Sequence, residues 1–116
     1  MKRNRKFQAI CIASTLLAFG GLIASPARAA DAVDAQALLE SSKCLKCHDV
    51  EKTKKGKPYK KIAAEYKGKP NAIAELTKHV TEPNQVKVEG EMVDHGIAKT
   101  RDKARIQNLV EWILSR

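Results

Sequence analysis

The chain reads as one small all-α domain placed behind a targeting segment, and three observations predict it. Apolar residues recur at helical spacing in four separate stretches, whereas no stretch alternates as a strand does. Aromatic residues make up only 4% of the 116 residues, so the apolar core of so small a domain needs reinforcement. Cys44-Leu45-Lys46-Cys47-His48 offers that reinforcement within a single short segment.

The targeting segment comes first. Lys2, Arg3, Arg5 and Lys6 precede a mostly apolar run from Phe7 to Ile23, loosened by Gly20 and Gly21 and broken by Pro26. Ala27-Arg28-Ala29 then supplies an A-x-A cleavage site, the pattern of a secretory signal peptide. The run carries Gln8, Ser14 and Thr15 and is short for a membrane span, which needs about 20 apolar residues. Residues 1–29 are therefore expected to be cleaved, leaving 30–116 as an exported domain. Five basic residues and no acidic one leave with them, so the formal net charge falls from +9 to +4. The basicity of the full chain is thus largely a targeting feature and makes nucleic acid a poor partner. Cys11 also leaves, and Cys44 and Cys47 become the only thiols.

The first helix is expected over 31–42, with Val33, Ala37 and Leu38 on one face and Asp31 and Asp34 where the helix dipole favours negative charge. Pro58 suits the start of a second helix, in which Tyr59, Ile62, Ala63 and Tyr66 fall at i, i+3, i+4 and i+7 before Gly68 and Pro70 end it. Ile73, Leu76 and Val80 repeat that spacing in a third helix, closed before Pro83. The last is the clearest: Ile106, Leu109, Val110, Ile113 and Leu114 form a continuous stripe beside Trp112, with Thr100 or Asp102 as its cap.

The Cys-x-x-Cys-His segment carries the chemistry. Two thiols three positions apart can each add to one vinyl group of a porphyrin, and the adjoining imidazole then lies beneath the iron as an axial ligand. A thioredoxin-like dithiol calls for a βαβ context and a longer chain. A structural zinc site needs four ligands, and there is no second cysteine pair. A disulfide between Cys44 and Cys47 would consume both thiols available for haem. One covalent haem is the expectation, and it would fill the core as well as work in it.

Taken with Leu38-Leu39, Gly56, Tyr59, Ile62-Ala63-Ala64-Glu65-Tyr66, Ala74-Glu75-Leu76, Met92 and Leu109-Val110-Glu111-Trp112-Ile113-Leu114, the motif resembles a small bacterial class I c-type cytochrome of the c-551/c-552 kind. The likeness covers nearly all of 31–116. It implies a single-domain class I cytochrome c fold enclosing one haem c, with the N- and C-terminal helices crossing beside it and Trp112 near the crossing. It further implies thioethers at Cys44 and Cys47, iron bound by His48 and Met92, and a soluble, monomeric electron carrier of the periplasm that transforms no substrate. Two other readings stand beside it: the haem subunit of a periplasmic oxidoreductase, and a gas-binding or sensing protein whose methionine is displaced.

The chain departs from that family in two places. Met92, 44 positions after His48, lacks the flanking prolines that usually stiffen the ligand loop. His95 lies close enough to compete with it, whereas His79, off the apolar stripe of its helix, reads as a surface group. The usual Gly-Pro is interrupted as Gly56-Lys57-Pro58, which leaves Lys57 or Pro58 to supply the carbonyl that orients His48. Lys43, Lys46, Lys52, Lys54, Lys55, Lys57, Lys60 and Lys61 crowd the motif and suit transient docking of an acidic redox partner.

Overall fold

A computed structural model describes residues 29–116. The expected signal peptide, apart from Ala29, and Cys11 lie outside the described residues. The order of elements is α1 (Ala32–Ser41), a short 3-10 turn (Cys44–Lys46), α2 (Tyr59–Tyr66), α3 (Ala72–Thr81), β1 (Gln85–Val88), β2 (Glu91–Asp94) and α4 (Lys103–Leu114). No described helix is long and apolar enough to cross a membrane.

Both ends of the core are capped by aspartate. Asp31 accepts from the backbone N–H groups of Val33 and Asp34 at 3.0 and 3.1 Å, and Asp102 accepts from those of Ala104 and Arg105 at 2.9 and 3.3 Å. In α1 the buried stripe is Ala35, Leu38 and Leu39, continued by Ser42. Val33 and Ala37 instead face solvent, Val33 with 80% of its surface exposed. The reason is angular: residues 35, 38, 39 and 42 share one helical face, and that face meets α4.

Helix α4 is the hub, packed on α1, α2 and α3, and it buries Ile106, Leu109, Val110, Trp112 and Ile113. Polar groups pin its crossing with α1. The Asp31 N–H donates to Asn108 Oδ1 at 2.6 Å, and Asn108 Nδ2 donates back to the Asp31 carbonyl at 2.8 Å. One turn away, Arg105 Nη2 pairs with Asp34 at 2.7 Å. Trp112 lies at this core with 1% exposure, its ring meeting Tyr59 edge-on at 5.9 Å.

Helix α2 follows its expected pattern, with Tyr59 and Ala63 buried and Ile62 and Tyr66 half-buried. It ends in a turn that contains Gly68 at φ +78°. Helix α3 is rotated from expectation. Ala72 and Leu76 are buried, but Ile73 is 46% exposed, and the inner face runs on to His79 and Val80.

The segment after α3 holds a feature the periodicity did not predict: an antiparallel hairpin pairing Gln85 with Asp94, Val86 with Val93, Lys87 with Met92 and Val88 with Glu91. Its two-residue turn places Glu89 at φ 51° and Gly90 at φ 94°, the double left-handed geometry that suits the twist of paired strands.

Candidate haem site

The site begins with a chain reversal. Lys43 adopts φ 60° directly after α1, and the 3-10 turn then folds Cys44 and Cys47 onto one side, with the His48 N–H donating to the Cys44 carbonyl at 3.0 Å. Both cysteines are free thiols and half-buried. Burial pushes the Cys44 thiol above its ordinary range, assisted by the neighbouring Cys47.

His48 is held from behind. Its Nδ1 lies 2.6 Å from the Lys57 carbonyl, which can only accept, so Nδ1 carries the proton and Nε2 is left bare for a metal. The displaced proline thus leaves Lys57 as the orienting carbonyl. Gly56 makes the approach possible: a Cβ there would stand 2.7 Å from His48 Cε1 and 3.1 Å from the Cys47 carbonyl oxygen. Tyr59 stacks on the His48 ring at 5.2 Å and 24°. Its phenol is raised out of the ordinary range by burial.

These groups open on a cavity of about 420 Å³, within the roughly 300–1,000 Å³ of small-molecule and cofactor sites. Its apolar walls include Leu39, Tyr59, Ile62, Leu76, Leu109 and Ile113. Val86, Val88 and Val93 of the hairpin line it as well. Among the described residues no three or more His, Cys, Asp or Glu side chains form a group that could hold a metal ion. An iron placed here must therefore bring its own equatorial donors, as a porphyrin does. Two thiols at the rim, one bare imidazole nitrogen and apolar walls fit a haem.

On the far side the structure separates the two candidate ligands. Met92 is 58% exposed and does not line the cavity. It shares a hairpin face with its partner Lys87, whereas Val93 and Val86 turn the other way, because successive strand residues point to opposite faces. His95 does line the cavity, with its ring centroid 6.1 Å from that of His48. His79, expected on the surface, is half-buried and packs its ring on His95 at 4.1 Å. The spacing of Ala72, Leu76 and His79 at i, i+4 and i+7 is the signal that would have placed His79 inside. His95 Nδ1 is buried without a hydrogen-bond partner. Burial, then the neighbouring His79 and His48, push the His95 pKa down to about 4.

All eight lysines around the motif are exposed, and Lys43, Lys55 and Lys57 stand at the cavity rim. Lys57 pairs with Glu65 at 2.8 Å and Lys60 with Glu51 at 3.7 Å, while Lys54 Nζ donates to the Leu45 carbonyl at 2.8 Å. Asp49 folds the loop between them by accepting from the N–H groups of Glu51 and Lys52 at 2.9 and 3.0 Å.

A helical domain with a thiol-rimmed cavity and one oriented imidazole defines a covalent haem protein. The chain matches the Cytochrome c family over residues 32–116 and belongs to it. Cytochrome c-551 of Pseudomonas aeruginosa is 33% identical over 102 residues, covering 88% of this chain and 92% of that protein. Cytochrome c-551 of Stutzerimonas stutzeri is 34% identical over 100 residues, 86% of this chain and 91% of its own. Among solved structures, the class 1 cytochrome MtoD of Sideroxydans lithotrophicus ES-1 superposes with a TM-score of 0.72 at 40% identity, over 75% of this chain and 97% of that one. Wild-type cytochrome c552 of Nitrosomonas europaea gives a TM-score of 0.56 at 25% identity, over 69% and 96%. The fold is the class I cytochrome c fold, the cofactor is covalent haem c, and the protein is a haem-based electron carrier.

Proposed function

We propose that this chain is a periplasmic one-electron carrier, released from its signal peptide after Ala29, that shuttles between redox proteins without transforming a substrate. Cys44 and Cys47 would hold the haem through thioethers, and His48 would bind its iron. The observation that carries the reading is the His48–Lys57 hydrogen bond of 2.6 Å, which leaves Nε2 bare on a ring that lines one cavity with Cys44 and Cys47. When bound, haem supplies an iron that cycles between Fe(III) and Fe(II).

The protein's own part is positional. Lys57 fixes the imidazole tautomer and increases its basicity. The apolar walls exclude water, and the tight core around Trp112 limits rearrangement between redox states. The exposed lysines at the rim steer an acidic partner toward the cavity edge and leave the encounter brief.

The test is expression in a host that exports and matures c-type cytochromes. Wild-type chain starting at Ala30 in the periplasmic fraction, carrying the mass of one haem and a reversible one-electron wave, is expected. The Cys44→Ser/Cys47→Ser double variant should retain no haem through denaturation. Haem that survives denaturation in the double variant, or a wild-type chain without haem, would overturn the reading.

A further inference from the structure

We propose that His95, and not Met92, is the sixth ligand of the haem iron, so that the iron is held between two imidazoles. The inference rests on the haem reading of Cys44–His48 and adds the residue on the opposite side. It is carried by distance, by direction and by a missing hydrogen-bond partner.

An imidazole nitrogen lies about 2.0 Å from a bound transition-metal ion and about 1.1 Å from its own ring centre, so two imidazoles across one ion have centroids about 6.2 Å apart. The His48 and His95 centroids are 6.1 Å apart. Their planes differ by 64°, which axial ligands tolerate because each ring can turn about its own metal–nitrogen axis. His95 is also firmly placed. Its N–H donates to the Asn84 carbonyl at 2.8 Å, and Asn84 Nδ2 donates to the carbonyls of His79 and Glu82 at 2.9 and 2.8 Å. Two residues beyond Gly96, the Ala98 N–H donates to the Val80 carbonyl at 2.8 Å. The segment bearing His95 is thus tied to the end of α3 on both sides.

Direction favours His95 over its rival. Met92 is 58% exposed and does not line the cavity, whereas Val93, on the other face of β2, and His95 both do. His79 is a positioning residue, its ring packed against His95 at 4.1 Å. The buried Nδ1 of His95 lacks a hydrogen-bond partner, so that nitrogen is free to meet the iron.

The test uses the matured holoprotein, oxidised, at neutral pH. Covalent haem is scored first by mass, and its absence would sink the carrier reading together with this one. With haem attached, wild type is expected to be low-spin and to lack the long-wavelength sulfur-to-iron charge-transfer band. Met92→Ala should leave every spectrum unchanged. His95→Ala should turn high-spin and bind carbon monoxide when reduced, and added imidazole should restore the low-spin state. A sulfur-to-iron band in wild type that disappears in Met92→Ala overturns the ligand assignment while leaving the carrier reading intact. A low-spin His95→Ala beside a high-spin His79→Gln overturns it as well. Should His95→Ala not accumulate, the comparison of wild type with Met92→Ala decides the matter alone.

Discussion

Replacing Gly56 by alanine tests the geometry behind His48. The added Cβ would stand 2.7 Å from Cε1 and 3.0 Å from Nδ1 of that ring, and 3.1 Å from the Cys47 carbonyl oxygen. A free imidazole could swing aside, but this one is held by the Lys57 carbonyl at 2.6 Å on one side and by Tyr59 stacked at 5.2 Å. The Cys47 oxygen is backbone, and it also accepts from the Gly56 N–H at 2.7 Å, so it cannot retreat alone. Overpacking of this kind costs about 1–3 kcal/mol. Weakening the hydrogen bond behind the ring adds about 1 kcal/mol. A total of about 2–4 kcal/mol lowers the melting temperature of a domain this size by roughly 10–25 °C. The assay is thermal unfolding of oxidised holoprotein, followed by far-ultraviolet circular dichroism and Soret absorbance together. A Gly56→Ala variant that melts within about 3 °C of wild type, with an unchanged Soret band, would refute the claim that Gly56 is what lets the chain pass behind His48.

Two further outcomes are expected. Asp49 is held below the ordinary carboxylate range first by the Lys52 N–H and then by that of Glu51. A lowered folded-state pKa stabilises the fold above the ordinary aspartate value and is lost as pH falls through the lowered one. Asp49→Asn should therefore flatten the acid limb of the melting temperature plotted against pH, and an unaltered limb would count against the loop-folding role. Lys46→Glu reverses an exposed charge between the two cysteines, and Lys55→Glu one at the cavity rim. They should slow electron transfer to an acidic partner several-fold at low salt and leave the rate at high salt near wild type, and stopped-flow rates with equal salt slopes in all variants would remove the docking patch.

Much of this fold is legible in the chain because helices announce themselves at close range. The stripes of α2 and α4 and the cap at Asp102 depend on neighbours within a turn or two. What escaped depends on distance or parity. Val33 and Leu38 look equivalent by hydropathy, and only contact with α4 turns one outward and the other inward. His79 reads as a polar interruption until α3 is known to pack with Ala72 and Leu76 buried. The hairpin strands are four residues each, too short for alternation to stand out. Their signal was the Gly90 turn, and once the turn falls at Glu89-Gly90 the parity of every later residue follows. Met92 goes outward and Val93 inward, and the hairpin delivers His95 at its base. The cysteine motif was legible throughout because its chemistry is local, whereas the choice of Lys57 over Pro58 as orienting carbonyl needed the path of the whole loop.

The clamp between α1 and α4 bears on the order in which the protein can be made. Asp31 and Asn108 stand 77 positions apart, and Arg105 and Asp34 stand 71 apart. Closing such a loop costs about 2 kcal/mol more than closing one of about 10 residues. Until α4 has emerged, α1 lacks the surface on which it buries Leu38 and Leu39. Through nearly the whole of synthesis, then, the two thiols stay in open chain, where an attachment machinery can reach them. After α4 docks they sit half-buried, with the Cys44 thiol less ready to ionise. The arrival of α4 thus acts as a clock, setting the interval in which the cofactor must be joined before the fold closes over its own attachment point.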